Sequence, residues 1–165
     1  HPKCYDCPAS ASCKAYRMGI QEELPNRGQR KEVPHFHHVA GLVAANGKIL
    51  LCKRPQNGLL GGLWEFPGGR LGADEGLREG AVRILSELLS VEIASAYKIG
   101  EVRHTFSHFK MTLHACLAHP WKEIEKIPEG FRWVDREEIG RLALPTAQKK
   151  VLALLKTPSA QLAFY

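Results

Sequence analysis

The run from Gly58 to Gly72, GLLGGLWEFPGGRLG, carries six glycines in fifteen residues. Such a density excludes a long regular element and leaves room only for the short strand-like LWEF. Immediately after it, Leu77, Ala81, Ile84, Leu85 and Leu88 recur at helical spacing, so the pattern predicts a helix with one buried face, running from a cap at Asp74 to about Leu89. A glycine-dense loop feeding an amphipathic helix is the fixed point around which the remaining segments are read.

Before the loop, HVAGLVAA and KILLCKR are apolar runs of strand length separated by Asn46-Gly47, the dipeptide of a tight β-hairpin. After the helix, VEIASAYKIGEVRH, FSHFKMTLHACLA and FRWVD read as strands, and DREEIGRLA and TAQKKVLALLK as closing helices. The expected class is α+β, a mixed β-sheet flanked by helices and preceded by a short cysteine-rich segment. The 165 residues suffice for one well-packed domain and a small appendage. Trp64, Phe66 and Trp133 are assigned to the core, and Cys52 and Cys116, each alone among strand-like neighbours, to packing as small hydrophobes. No run approaches the roughly 18 apolar residues of a membrane span, and HPKCYDCPAS does not resemble a signal peptide, so an intracellular protein with no membrane partner is expected.

The formal net charge is +6. The excess lies around Arg27, Arg30 and Lys31 and around Arg103, His104, His108 and Lys110, a distribution suited to a polyanion. Arg103, Lys110, Lys149 and Lys150 are candidate phosphate contacts. Cys4, Cys7 and Cys13 read C-x2-C-x5-C, three thiols where zinc or an iron-sulfur cluster takes four ligands. A disulfide, a zinc site and a cluster completed from elsewhere all remain open on spacing alone.

Gly69, Glu75, Arg83, Leu85, Glu87 and Val91 fall without a gap on the loop-helix-loop signature G-x5-E-x7-R-E-U-x-E-E-x-G-U, and the segment thereby resembles the Nudix hydrolases. The resemblance implies a Nudix-like fold. Three positions depart from it: Ile84 and Leu88 replace glutamates and Ser90 replaces glycine. In that family the helix carboxylates hold the metal ions that act on pyrophosphate, and a divalent cation needs several hard oxygen ligands. The departures therefore imply no Mg²⁺ and no pyrophosphate hydrolysis, with Glu75, Arg83 and Glu87 left as a salt-bridged set bracing loop against helix.

Taken together, GLLGGLWEFPGG, HTFSHFKMTLHA, KEVPHFHHVAGLV (31–43) and LPTAQKKVLALL (144–155) resemble the carboxy-terminal domain of A/G-specific adenine DNA glycosylases. That family removes adenine mispaired with 8-oxoguanine, with excision in an amino-terminal domain that this chain lacks and lesion recognition in the carboxy-terminal one. The resemblance implies that Phe106, Ser107 and His108 read the oxidised base, that Arg103 and Lys110 contact DNA, and that no catalytic residue lies here. It also makes Cys4, Cys7 and Cys13 the last three ligands of a [4Fe-4S] loop, the fourth falling about three residues before His1. Its organisation would be 1–20 as the end of the cluster loop, 21–35 as linker, 36–157 as the Nudix-like domain and 158–165 as a tail. The implied partners are duplex DNA bearing 8-oxoguanine opposite adenine and the protein's own amino-terminal catalytic domain. A linker of roughly 15 residues resembles bacterial members, hence a cytoplasmic protein at the nucleoid, with a nuclear one as the alternative. The alternative function is a Nudix pyrophosphohydrolase acting on oxidised nucleotides. A hydroxyl suits the lesion because guanine N7 is an acceptor whereas N7 of 8-oxoguanine carries a proton, and serine can accept as well as donate.

Overall fold

The computed structural model describes residues 1–25 and 32–155. Arg27, Arg30 and Lys31, part of the segment read as linker, and the tail at 158–165 lie outside the described residues. The chain divides into two units, His1–Glu32 and Val33–Tyr165. In the first, two single-turn 3-10 helices, Cys4–Asp6 and Ser10–Ser12, precede the short α1 (Lys14–Arg17), and none of the three contains a buried residue.

The second unit contains β1 (His35–Leu42), β2 (Ala44–Ala45), β3 (Lys48–Lys53), β4 (Trp64–Glu65), β5 (Gly68–Arg70), α2 (Leu77–Leu89), β6 (Ile93–Thr105), β7 (Lys110–Pro120), β8 (Phe131–Asp135) and α3 (Thr146–Leu154). One sheet has the order β5-β1-β7-β6, in which β1 and β7 are parallel and the other pairs antiparallel. In the other, β3 pairs with β8 and with both β2 and β4. The α+β expectation, with a mixed sheet and flanking helices, is met.

Side-chain alternation along the central strands sorts the core into two parts. Ala40, Leu42, Leu113, Ala115 and Leu117 join Leu51, Phe66, Val151 of α3 and Leu155 just after it in one; Val39, Val43, Cys116 and Ala118 meet Ala81, Ile84, Leu85 and Leu89 of α2 in the other. Strand β7 is thus buried on both faces from Thr112 to Ala118, which is why its sequence reads as a nearly continuous apolar run. Helix α2 approaches β1 so closely that a Cβ on Gly41 would overlap the side chain of Leu85. Leu85 is fully buried; its burial is worth about 2 kcal/mol.

Four local expectations are modified. Asn46 and Gly47 form the anticipated turn, both at positive φ (51° and 74°), but the hairpin is only β2 with β3, because β1 leaves at Val43 to pair with β7. Asp74 is not the cap of α2: Gly76 is, without a side-chain hydrogen bond, and Leu77 and Leu88 are only half-buried. DREEIGRLA forms a single 3-10 turn, Ile139–Arg141, since the backbone turns extended at Leu142 before Pro145. Phe66 fills the core, whereas Trp64 and Trp133 are half-buried at its edge.

Helix α2 ends on Ser90 at φ 53°, the left-handed region that glycine enters without steric cost. Replacing Ser90 with Gly should therefore raise stability by about 1 kcal/mol, read as a higher urea midpoint with unchanged slope. An unchanged or lower midpoint would show that Ser90 makes a compensating interaction.

Candidate functional site

Strands β6 and β7 close on a tip in which Phe106 N–H donates to the Phe109 carbonyl at 2.8 Å and Ser107 and His108 project into solvent. Beneath them an aromatic array holds the turn in place. Phe106 stacks on Phe109 (centroids 4.3 Å apart, 26° between planes), His104 meets the edge of Phe106 at 4.6 Å, Phe36 packs against Phe109 at 5.7 Å, and the Arg70 guanidinium lies 3.8 Å above Phe36. Ring pairs of this kind contribute about 1 kcal/mol each beyond their area. Ser107 Oγ lies 3.1 Å from His108 Nδ1, within hydrogen-bond range.

The three tip residues inferred from the sequence are therefore together. Arg103 and Lys110 are exposed close by, but alternation places them on the opposite face of the hairpin from Phe106 and Phe109, and Arg103 pairs with Glu101 at 3.2 Å. That opposite face continues into a histidine ladder. His37 Nδ1 is 2.9 Å from His114 Nε2, the rings stack with centroids 5.3 Å apart, and His35 stacks on His37 and reaches Thr112 Oγ1 at 2.9 Å. Burial, reinforced by Lys98 and His37, holds the His114 imidazole below its ordinary pKa.

Sequence reasoning missed the cavity under the tip. It measures about 260 Å³ and is walled by Phe106, Phe109, Leu59, Leu60, Phe66 and Met111. Its polar floor is Arg54, whose guanidinium donates to Glu65 at 2.5 Å, and Gln148, whose amide donates to the same carboxylate at 3.5 Å. Burial pushes the Glu65 carboxyl above its ordinary range, with Arg54 opposing the shift. Gln148 Oε1 is buried without a partner among the described residues. A carboxylate inside the apolar LWEF run was the available signal.

Arg83 forks onto Glu75, Nε to Oε1 at 2.6 Å and the terminal nitrogen to Oε2 at 2.7 Å, and reaches Glu87 at 3.3 Å. Gly72 N–H also donates to Glu75 at 3.0 Å. The expected brace of loop against helix is present, and these bonds pull the Glu75 carboxyl down to about 2. Ile84, by contrast, points into the apolar core, 3.1 Å from where a Cβ on Gly69 would lie, and Leu88 packs against the same core. Glu87 is the one helix carboxylate left at the signature positions. Cys52 and Cys116 are held by burial as neutral thiols, pushed up to about 12 and about 11.

In the amino-terminal unit, burial raises the Cys4 thiol's pKa, followed by the charges of Cys13 and Cys7. Among the described residues, however, no three His, Cys, Asp or Glu side chains converge on a point that could hold a metal ion. The cysteines present do not by themselves fit a four-ligand cluster. No helix among the described residues is long and apolar enough to cross a membrane.

A NUDIX domain family model matches residues 38–154. The adenine DNA glycosylase of Homo sapiens is 29% identical over 91% of this chain and 36% of its own length, so the chain spans about a third of that relative. The 8-oxo-dGTP diphosphatase of Proteus vulgaris is 30% identical over 53% of this chain and 79% of its own length. Among solved structures, the C-terminal domain of mouse MUTYH in complex with human PCNA superimposes with a TM-score of 0.60 and 30% identity, covering 73% of this chain and 87% of that domain.

The Glu75 brace predicts acid sensitivity. Its carboxyl sits near 2 in the folded chain against an ordinary 4.5, so the stability it contributes is fully present above pH 4.5 and drains away as the pH falls toward 2. Glu75→Gln should be less stable at neutral pH and should show a flatter loss of stability across that window in urea titrations. A parallel pH profile for the two proteins would mean that the pair does not couple to folding.

Proposed function

The chain belongs to the Nudix domain family, in the branch of adenine DNA glycosylase carboxy-terminal domains, and from that membership we propose that it is the lesion-recognition part of such a glycosylase, reading 8-oxoguanine opposite adenine in duplex DNA. Ser107 is the reader. A freely rotating hydroxyl would accept from the N7–H of 8-oxoguanine or donate to N7 of guanine with equal ease. The observation that carries the reading is the 3.1 Å approach of Ser107 Oγ to His108 Nδ1. With His108 accepting at Nδ1, Ser107 commits its proton to the imidazole and turns its lone pairs outward, where they accept from N7–H of the lesion and repel N7 of guanine. Phe106 and Phe109 hold the pair in that attitude.

Lys110, and Arg103 beyond its bond to Glu101, serve the phosphates and set position rather than sequence. Excision belongs to the amino-terminal catalytic domain of the intact protein, and no residue of this chain is assigned to it. The [4Fe-4S] assignment of Cys4, Cys7 and Cys13 requires a fourth thiolate from residues not in this sequence; iron and sulfide analysis of the intact protein tests it.

The cavity with its Glu65 and Gln148 acceptors favours a second reading, a pyrophosphohydrolase for a purine nucleotide. Hydrolysis in that family needs the cation ligands replaced here by Ile84 and Leu88. Mg²⁺-dependent release of pyrophosphate from 8-oxo-dGTP would establish it, and its absence at high protein concentration would remove it.

For the main reading, the measurement is the ratio of affinities for duplexes with 8-oxoguanine or guanine opposite adenine. Ser107→Ala should reduce that ratio about tenfold. A ratio untouched by the substitution would refute Ser107 as the reader.

A further inference from the structure

Leu59 and Leu60 head the glycine-dense loop with 51% and 42% of their surface exposed, although both border an apolar-walled cavity. Leu60 has φ 57°, a left-handed conformation that a leucine adopts only under constraint. The constraint comes from below. Arg54 Nε donates to the Leu59 carbonyl at 2.8 Å, Gly62 N–H donates to the Arg54 carbonyl at 3.1 Å, and Gly61 N–H to that of Gly58 at 3.1 Å. Arg54 is in turn anchored by Glu65. A Cβ on Gly61 would overlap the Gln56 carbonyl, so the turn cannot relax by admitting a side chain there. Two leucines are thus held outward by a partly buried ion pair.

Phe106 and Phe109, which flank Ser107 and His108, line the same cavity. Among the described residues, the free cations nearby are on α3, where Lys149 and Lys150 are exposed and the neighbouring Ala147 and Gln148 line the cavity. Glu65, the one carboxylate of the lining, is matched by Arg54. Rigid apolar side chains flanked by cations and continuous with a base-reading tip suit duplex DNA, where apolar wedges partly unstack a base step.

We propose that Leu59 and Leu60 form a wedge that enters the base stack beside the nucleotide read by Ser107, so that the lesion step is gripped by two sets of residues lining one cavity. The proposal rests on the reading of the tip as a base reader. The loop supplies deformation energy and the tip supplies chemical discrimination, which makes the two separable by experiment.

The test uses the 165-residue chain and a duplex with 8-oxoguanine opposite adenine and 2-aminopurine at the adjoining step. Binding of the parent chain should raise 2-aminopurine fluorescence as its neighbour unstacks. The double variant Leu59→Ser, Leu60→Asn, in which asparagine tolerates the left-handed conformation, should bind about tenfold more weakly without that rise. Its unfolding midpoint should not fall, and the slope of affinity against salt should stay the same because the phosphate contacts remain. Single Leu60→Gly, which relieves the backbone, should lose part of the signal while being at least as stable. Equal fluorescence and affinity in parent and double variant overturn the wedge. If Ser107→Ala leaves lesion preference unchanged while the leucine variants still lose signal on both duplexes, the wedge stands and the base reader falls; a parent chain that binds neither duplex sinks both.

Discussion

Strand β7 has no solvent face between Thr112 and Ala118, and the position of the tip residues Phe106 to Phe109 follows from that two-sided burial. Leu113, Ala115 and Leu117 are committed to one core and Cys116 and Ala118 to the other, so a one-residue slip against β1 or β6 would exchange the two sets and bury the wrong volumes. Register is therefore rigid where the strand begins. Lys110 N–H donates to the Pro34 carbonyl at 2.8 Å and Phe106 to Phe109, so the four residues of the tip inherit that rigidity while keeping Ser107 and His108 in solvent.

The same scaffold accommodates the two glutamate positions at which this chain departs from the loop-helix-loop signature. Loop and helix in such a fold carry an excess of negative charge that a metal ordinarily balances. Arg83 and Glu75, both on signature positions, form an ion pair here that also reaches Glu87, while Ile84 and Leu88 turn the two departing positions toward core contacts. Each change moves in the same direction, away from ionic and toward apolar cohesion. The geometry of the loop survives because Gly72 and Arg83 together hold Glu75 where it is.

Much of the fold was legible because period and punctuation are local properties. Apolar spacing located α2, alternation located β6 and β8, and Asn46-Gly47 located a turn that requires positive φ twice. The failures have equally local causes. Asp74 has the right chemistry for a cap but the chain reaches α2 through Gly76, and Gly140 with the extended Leu142 stops the helix that DREEIGRLA suggests. Strand partners were not legible: β1 is parallel to a strand some seventy-five residues later and not to its neighbour in sequence. At the site, Phe106, Ser107 and His108 were legible as one contiguous segment, whereas Arg54, Glu65 and Gln148, scattered along the chain, had no common signal.

By itself, then, the amino-acid sequence determined most of the elements, the replacement of two signature glutamates by Ile84 and Leu88, and the contiguity of the tip residues, because each is written in neighbouring residues or in a fixed spacing. Only the tertiary structure decided that Ser107 has His108 as its hydrogen-bond partner over a stacked aromatic base, that Arg103 and Lys110 face away from that base, and that Leu59 and Leu60 line the same cavity as Phe106 and Phe109. Those relations depend on burial and strand register, which are properties of residues far apart in the chain brought to within a few ångströms, and no local pattern encodes them.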